Sequence, residues 1–254
     1  MLRRNVFTDF RRPPDDRGVL NELVTLRHFA PRYFSPRFFG LGIPPMPMYQ
    51  GSGAYSRVAG NVAITPGFPR AQAGDVLLMQ TAHMNNSTQA AATYTFPDGW
   101  ELLYADTTGT TRQWIHRKVA DGTETGTVSI TNAGGTALGT QQSVIHAFSN
   151  ANPTAVIGPA VVSGAATAIA DAPVTTDAPG RLALQFGALS ASETVPGFTG
   201  ETGGKWAMAS QATADTMRLF LLIADMPLAG TIGGGTFTKS GTGRYIIRGF
   251  ALKR

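Results

Sequence analysis

The chain has 254 residues and a formal charge of +5, with 30 glycines, 16 prolines, no cysteine and only 15% charged residues. That length allows one sandwich-sized domain with an extension, and the abundance of Gly, Pro, Thr, Ala and Val suits short strands joined by tight turns more than helices. Absence of cysteine excludes disulfides and thiolate metal sites. The basic start Met1-Leu2-Arg3-Arg4 runs into Asp9, Arg11, Arg12, Pro13 and Asp15 instead of an apolar segment. The longest apolar run, residues 219–224, falls far short of the roughly 20 residues a spanning helix needs. A soluble protein without a secretory signal or membrane insertion is expected.

Charge is unevenly placed. Residues 1–50 hold eight Arg and no Lys against Asp9, Asp15, Asp16 and Glu22, a net +4, so the other 204 residues carry +1. The same segment contains seven of the 16 prolines and eight of the 23 aromatics. Its prolines, at 13, 14, 31, 36, 44, 45 and 47, remove backbone donors and favour extended conformations. Only residues 17–29 have helical spacing, with Leu20, Leu23 and Val24 on one face and Asp15 or Asp16 as cap. An extended arm that cannot bury its own aromatics gains by burying them on a partner, and Arg and aromatics are the residue types enriched in interface anchors. Arg3, Arg4, Phe7, Phe10, Arg11, Arg12, Tyr33, Phe34, Arg37, Phe38 and Phe39 are the docking candidates. Wrapping over its own domain is the plainer alternative. Nucleic acid is not expected as a partner, because no binding motif accompanies the basic residues and four acidic ones dilute them.

Gln50-Gly51-Ser52-Gly53-Ala54-Tyr55 has the composition of a hinge, which sets the expected division at 1–50 for the arm and 51–254 for the main domain. The turn signal Pro66-Gly67-Phe68-Pro69 predicts a first or edge strand over residues 57–65. Residues 76–84 start apolar on both parities and turn polar at Gln80, Thr81 and His83, as a core strand does near a loop. After the loop Asn85-Asn86-Ser87-Thr88-Gln89, the turn Pro97-Asp98-Gly99 leads to a strand bearing Trp100, a core candidate, with Leu102 and Tyr104. Residues 112–119 alternate Trp114, His116 and Lys118 with Ile115, Arg117 and Val119, the pattern of a strand with one face on the core. Strands are expected over 127–131, 141–148, 181–189, 217–226 and 244–252, with the Ala/Gly-rich residues 158–171 as an extended connection. These segments, without helical patterns between them, predict an all-β antiparallel β-sandwich, jelly-roll-like, of about eight or nine strands behind an extended N-terminal arm.

The order Gly74-Asp75-Val76-Leu77-Leu78, Pro97-x-Gly99-Trp100-x-Leu102, Trp114-x-x-Arg117-Lys118-Val119-Ala120 and the alternating strand 143–148 resembles a β-sandwich domain of bacteriophage virion proteins. Such domains occur in tail-fibre, head-fibre and decoration-type proteins, and the resemblance spans about residues 60–250. It implies a structural virion component, assembled in the host cytoplasm, whose sandwich projects outward while an arm secures it to other virion proteins (capsid, portal, adaptor or tail). A homo-oligomer fits that role.

Chemistry is sparse. His83, His116 and His146 lie on predicted strands, and His116 and His146 on neighbouring ones could approach a metal. A half-polar strand commonly carries a histidine at its rim, however, and no H-x-H or HExxH spacing is present, so no metal or other cofactor is expected. Gly200 to Lys205 fails the phosphate-loop spacing, with Trp206 where Ser or Thr must stand. No nucleophile and base pair up, and Asp98, Glu101, Glu193 and Glu201 are acid candidates only if the fold brings them together. The chain does not read as an enzyme. The loop residues Asn85, Asn86, Gln89, Lys205 and Trp206 combine amides with an aromatic face, the chemistry that holds sugars, and make a host-surface glycan the alternative ligand. The plainer reading of these residues is solvated loops with Trp206 as a buried plug.

Overall fold

The computed structural model describes residues 45–60, 62–84, 93–108, 111–132, 139–152, 156–165, 167–190, 206–214, 217–238 and 243–254. The chain divides into two compact units, residues 1–45 and 46–254. Of the first, only Pro45 is among the described residues, so the arm and its short predicted helix lie outside them.

The second unit is all-β and its sheets are antiparallel. Seventeen strands are present among the described residues, against the eight or nine expected. They are β1 Met48–Ser52, β2 Ser56–Ala59, β3 Val76–Met84, β4 Tyr94–Thr95, β5 Glu101–Thr108, β6 Thr111–Val119, β7 Thr131–Asn132, β8 Thr140–Ser149 and β9 Val156–Ala165. After them come β10 Ala168–Ala170, β11 Val174–Thr176, β12 Arg181–Ser190, β13 Ala207–Ala214, β14 Met217–Met226, β15 Gly230–Ile232, β16 Thr236–Thr238 and β17 Arg244–Leu252. Most of the excess comes from short pairs, β4 with β7, β10 with β16 and β11 with β15, that lie outside the two main sheets.

The first main sheet has the order β1-β8-β3-β6-β5, with β2 continuing along β8 beyond β1; the second has the order β13-β14-β12-β17-β9. Their facing sides share one core, in which Val76, Leu78, Ile115 and Phe148 meet Leu182, Leu184, Phe186, Leu221 and Phe250. Each sheet is also covered on its other side. The first sheet's outer side carries Leu77, Met79, Ile145 and Ala147 under Ile64, Ile130, Tyr94, Phe96, Phe68 and Val128. The second packs Phe220, Leu222 and Ile247 against Ile169, Val174, Ile232 and Trp206. With both faces covered, the central strands are apolar on both parities, which is why β14 contains the unbroken run 219–224.

Gly187 belongs to the same packing. It stands opposite Phe220 in register, and a Cβ added there would lie 1.9 Å from the Phe220 ring.

Four expectations are corrected. The expected hinge is structured: Met48–Ser52 pairs with β8, and Gly53 donates to the Ile145 carbonyl. Gly53 is required by close approach, since a Cβ there would sit 1.9 Å from the Gly67 carbonyl oxygen. The Ala/Gly-rich connection holds most of β9, an edge strand paired along β17, and all of β10. Residues 112–119 face the core on one side and the covering layer on the other, so that Ile115 and His116 are both buried. Trp100, expected in the core, is half-buried and stacks on Phe68 with centroids 6.4 Å apart.

Candidate functional site

The register gives the second unit two distinct ends. The chain enters at the proximal end, where Met46 lies beside Gly180 and Arg254, Met48 pairs with Ser149, and the Gly180 amide donates to the Met226 carbonyl. At the distal end, β3 finishes at Met84 opposite Thr111, and β12 finishes at Ser190 opposite Met217. The sheets meet there through Ala82, Val144, Ala188, Met217 and Leu219, and through Gln142 Nε2, which donates to the Met217 carbonyl at 3.4 Å.

The docking candidates Arg3 to Phe39 lie outside the described residues, as do Asn85, Asn86, Gln89 and Lys205. Met84, the residue before Asn85, is at the distal end. Trp206 is not. It precedes Ala207, which pairs with Ile223, six residues along β14 from Met217. At about 3.3 Å per residue this places it about 20 Å from the distal end. Its ring is buried, and its Nε1 donates to Asp171 Oδ2 at 3.0 Å. Trp206 is therefore the plug of the plainer reading, and it offers no aromatic face for a sugar at the distal end. Asp171, also buried, accepts through Oδ1 from the Gly234 amide at 2.6 Å, so both carboxylate oxygens have donors.

The three strand histidines do not converge. His116 is on β6 and His146 on β8, with β3 between them, so they are not on neighbouring strands. Leu78 is the register partner of His146, whereas Met79 is the partner of His116. Alternation along a strand then puts the two on opposite faces of the sheet. Among the described residues, no group of three His, Cys, Asp or Glu could hold a metal.

His146 lies between the sheets, its ring 5.5 Å from that of Phe186 and 6.1 Å from that of Tyr49, with both ring nitrogens unpartnered. Burial lowers its pKa to about 3. His83 and His116 share the outer face. Burial lowers His83 to about 4, with a smaller contribution from the Arg112 charge, and burial alone lowers His116 to about 4. All three are neutral at pH 7, since desolvation penalises the charged form.

The layer over His83 and His116 is made of three mutually bonded segments. Ile64 and Ile130 exchange backbone bonds, Val128 donates to the Pro66 carbonyl, Phe68 donates to the Gly126 carbonyl, and β4 pairs with β7. Side chains fasten it to the sheet. Tyr94 Oη donates to Gln141 Oε1 at 2.6 Å, and Asn132 Nδ2 donates to the same oxygen at 3.2 Å, while Gln141 Nε2 reaches the Gly60 carbonyl. Desolvation raises the Tyr94 pKa, keeping its hydroxyl a donor. Rings complete the contact: Tyr94 on Trp114 at 4.9 Å, Tyr94 on His83 at 6.2 Å and Phe96 on His116 at 3.6 Å. Sequence reasoning missed this cluster. Its signal is confined to His83, Trp114 and His116, which the alternation already assigns to strands, because Tyr94 and Asn132 come from segments too short to carry a pattern.

The interface between the sheets is held differently. Gln80 Nε2 donates to Gln113 Oε1 at 2.9 Å and to the Gly187 carbonyl at 3.0 Å, and Gln113 Nε2 reaches the Phe186 carbonyl at 3.3 Å. Near the side, Arg248 donates to Asp106, with Nε to Oδ2 at 2.9 Å, and lies over the Tyr104 ring. Its Nη2 donates to the other carboxylate oxygen. A bidentate pair of this kind fixes geometry as well as adding energy.

Comparison with protein-family models, with curated proteins and with solved structures finds no match to this chain.

Proposed function

We propose that the chain is a non-enzymatic structural subunit of a phage or phage-like particle. It is a fibre, spike or decoration subunit, anchored through its N-terminal arm to other virion proteins and projecting the β-unit outward. On this reading the two main sheets are the layers of a jelly-roll-like β-sandwich, and the subunit is a homo-oligomer of the virion, assembled in the host cytoplasm. The observation that carries the proposal is the polarity of the β-unit, where the chain enters at one end and β3, β12 and β14 reach the other. The Arg, Pro and aromatic composition of residues 1–50 adds an independent reason to place the anchor there.

Because β1 starts at Met48, the arm is best removed as residues 1–44. The truncated chain should keep its β-sheet circular dichroism and lose incorporation into particles. Incorporation at full occupancy would defeat the anchoring idea.

A second reading, a carbohydrate- or receptor-binding module for the host surface, is favoured by the distal position of Met84, which leads into Asn85, Asn86 and Gln89. A glycan array tests it with Asn85→Ala as the informative variant. Trp206→Ala instead removes a buried ring and leaves Asp171 short of a donor, so it reports on stability. Failure to bind any host-surface glycan would remove this reading and leave the anchoring proposal standing.

A further inference from the structure

Two histidines buried under a thin layer form a device of a different kind from a binding site. His83 is 1% exposed and His116 is 4% exposed, yet neither has an ion-pair partner among the described residues. Both ring nitrogens of His83, and Nδ1 of His116, are without hydrogen bonds. A buried polar group in that state gains nothing from its polarity while the layer is closed and gains full solvation when it opens.

None of the groups facing the two rings carries a negative charge. Opposite His83 stand Arg112 on β6 and Gln141 on β8, with Tyr94 above it from β4. Around His116 are Met79 on β3, Leu102 on β5 and Phe96 above, with Lys118 two residues on along the same face. The nearby carboxylate Glu124 is already paired with Lys118 at 3.0 Å. Protonation within the closed layer therefore has no counter-charge to meet.

We propose that residues 62–68, 93–96 and 126–132 are an acid-released cover, which lifts from the first sheet as His83 and His116 take up protons and exposes the apolar face of Leu77, Met79 and Ile145 while the two sheets stay together. Opening solvates His83 and His116 but not His146, whose ring lies between the sheets, so the cover responds to acid before the core does. The bonds that join the cover's three segments to one another run within it and survive lifting. What is lost is the fastening at Gln141, the bonds from the Gly67 amide to the Ala54 carbonyl and from the Thr65 amide to Ser56 Oγ, and the ring contacts.

Hydrogen exchange on the full chain, read by mass spectrometry from pH 7 to pH 3.5 and corrected for the intrinsic pH dependence of exchange, tests this. Protection should fall first over residues 62–68, 93–96 and 126–132, between pH about 6.5 and about 4, while β12, β14 and β17 stay protected and an apolar dye begins to bind. The double variant His83→Phe/His116→Phe gives up no hydrogen bond made by His83 and should move the opening downward by about one pH unit or more. His146→Phe should leave the opening pH of the cover unchanged. Should the double variant fold poorly, each single change should move the midpoint by about half as much. Loss of protection in all strands at one pH, or opening of the double variant at the wild-type pH, would overturn the proposal.

Discussion

The two faces of the first sheet are buried by different means. Between the sheets, long strands bring large side chains together, and Gln80 and Gln113 tie one sheet to carbonyls of the other. On the outer face, three short segments lie over the same strands, fastened by one glutamine, two amide hydrogen bonds at the β1–β2 edge and a few rings. Burial is nearly complete in both places, yet the stabilising contacts differ in length and redundancy. Equal burial does not make equal permanence, since local opening follows how few contacts hold a segment.

Acid should separate the two faces with the largest effect. The native histidines at 83, 116 and 146 have pKa values of about 4, about 4 and about 3, below the usual 6.5, so as pH falls the unfolded chain binds protons that the native chain does not. The stability they contribute is present above pH 6.5 and is lost as pH falls towards the native values. Each histidine should remove about 2 kcal/mol between pH 8 and pH 5. Urea titrations at the two pH values check the sum, and His146→Phe should reduce it by about a third.

Phe186→Ala strikes the shared core, where the ring stacks on Phe250 at 5.6 Å and is fully buried. It should cost about 3–5 kcal/mol in chemical denaturation and lower the protection of both sheets together. Gln80→Ala leaves Gln113 Oε1 without that donor and should cost about 1–3 kcal/mol. Tyr94→Phe removes only one hydrogen bond to Gln141 and should cost about 1 kcal/mol, with the loss of protection confined to the cover. If Tyr94→Phe instead loosened β12 and β14, the distinction between the two faces would collapse.

The strands that make the shared core are legible in the sequence, because both faces of β3, β8, β12, β14 and β17 are covered and each carries several large apolar residues. What escapes is where side-chain bulk does not decide. β9 is an Ala/Gly-rich edge strand containing Pro159, tolerated at an edge, and its neighbour β17 supplies the pairing. Gly51 and Gly53 have the composition of a hinge, but glycine serves close approach as readily as flexibility. The group that approaches Gly53 is the carbonyl of Gly67, and nothing in the local pattern announces a contact with so distant a residue. Trp206 reads as a loop residue for a similar reason, since Asp171, the partner that buries it, is 35 residues away. The histidines are visible as residues, but their assignment to opposite faces depends on strand order, with β3 between β6 and β8.

The proposed polarity, with the arm held by the particle and the distal end exposed, is tested most directly on intact particles. A short epitope is placed either at the N-terminus or in the β13–β14 connection, at residues 215–216 between the paired ends Ala214 and Met217, and located by antibody labelling in the electron microscope. The β13–β14 epitope should be labelled at the outer tip, with the N-terminal one hidden. Labelling of the N-terminal epitope at the outer tip, with the β13–β14 epitope hidden, would contradict this polarity.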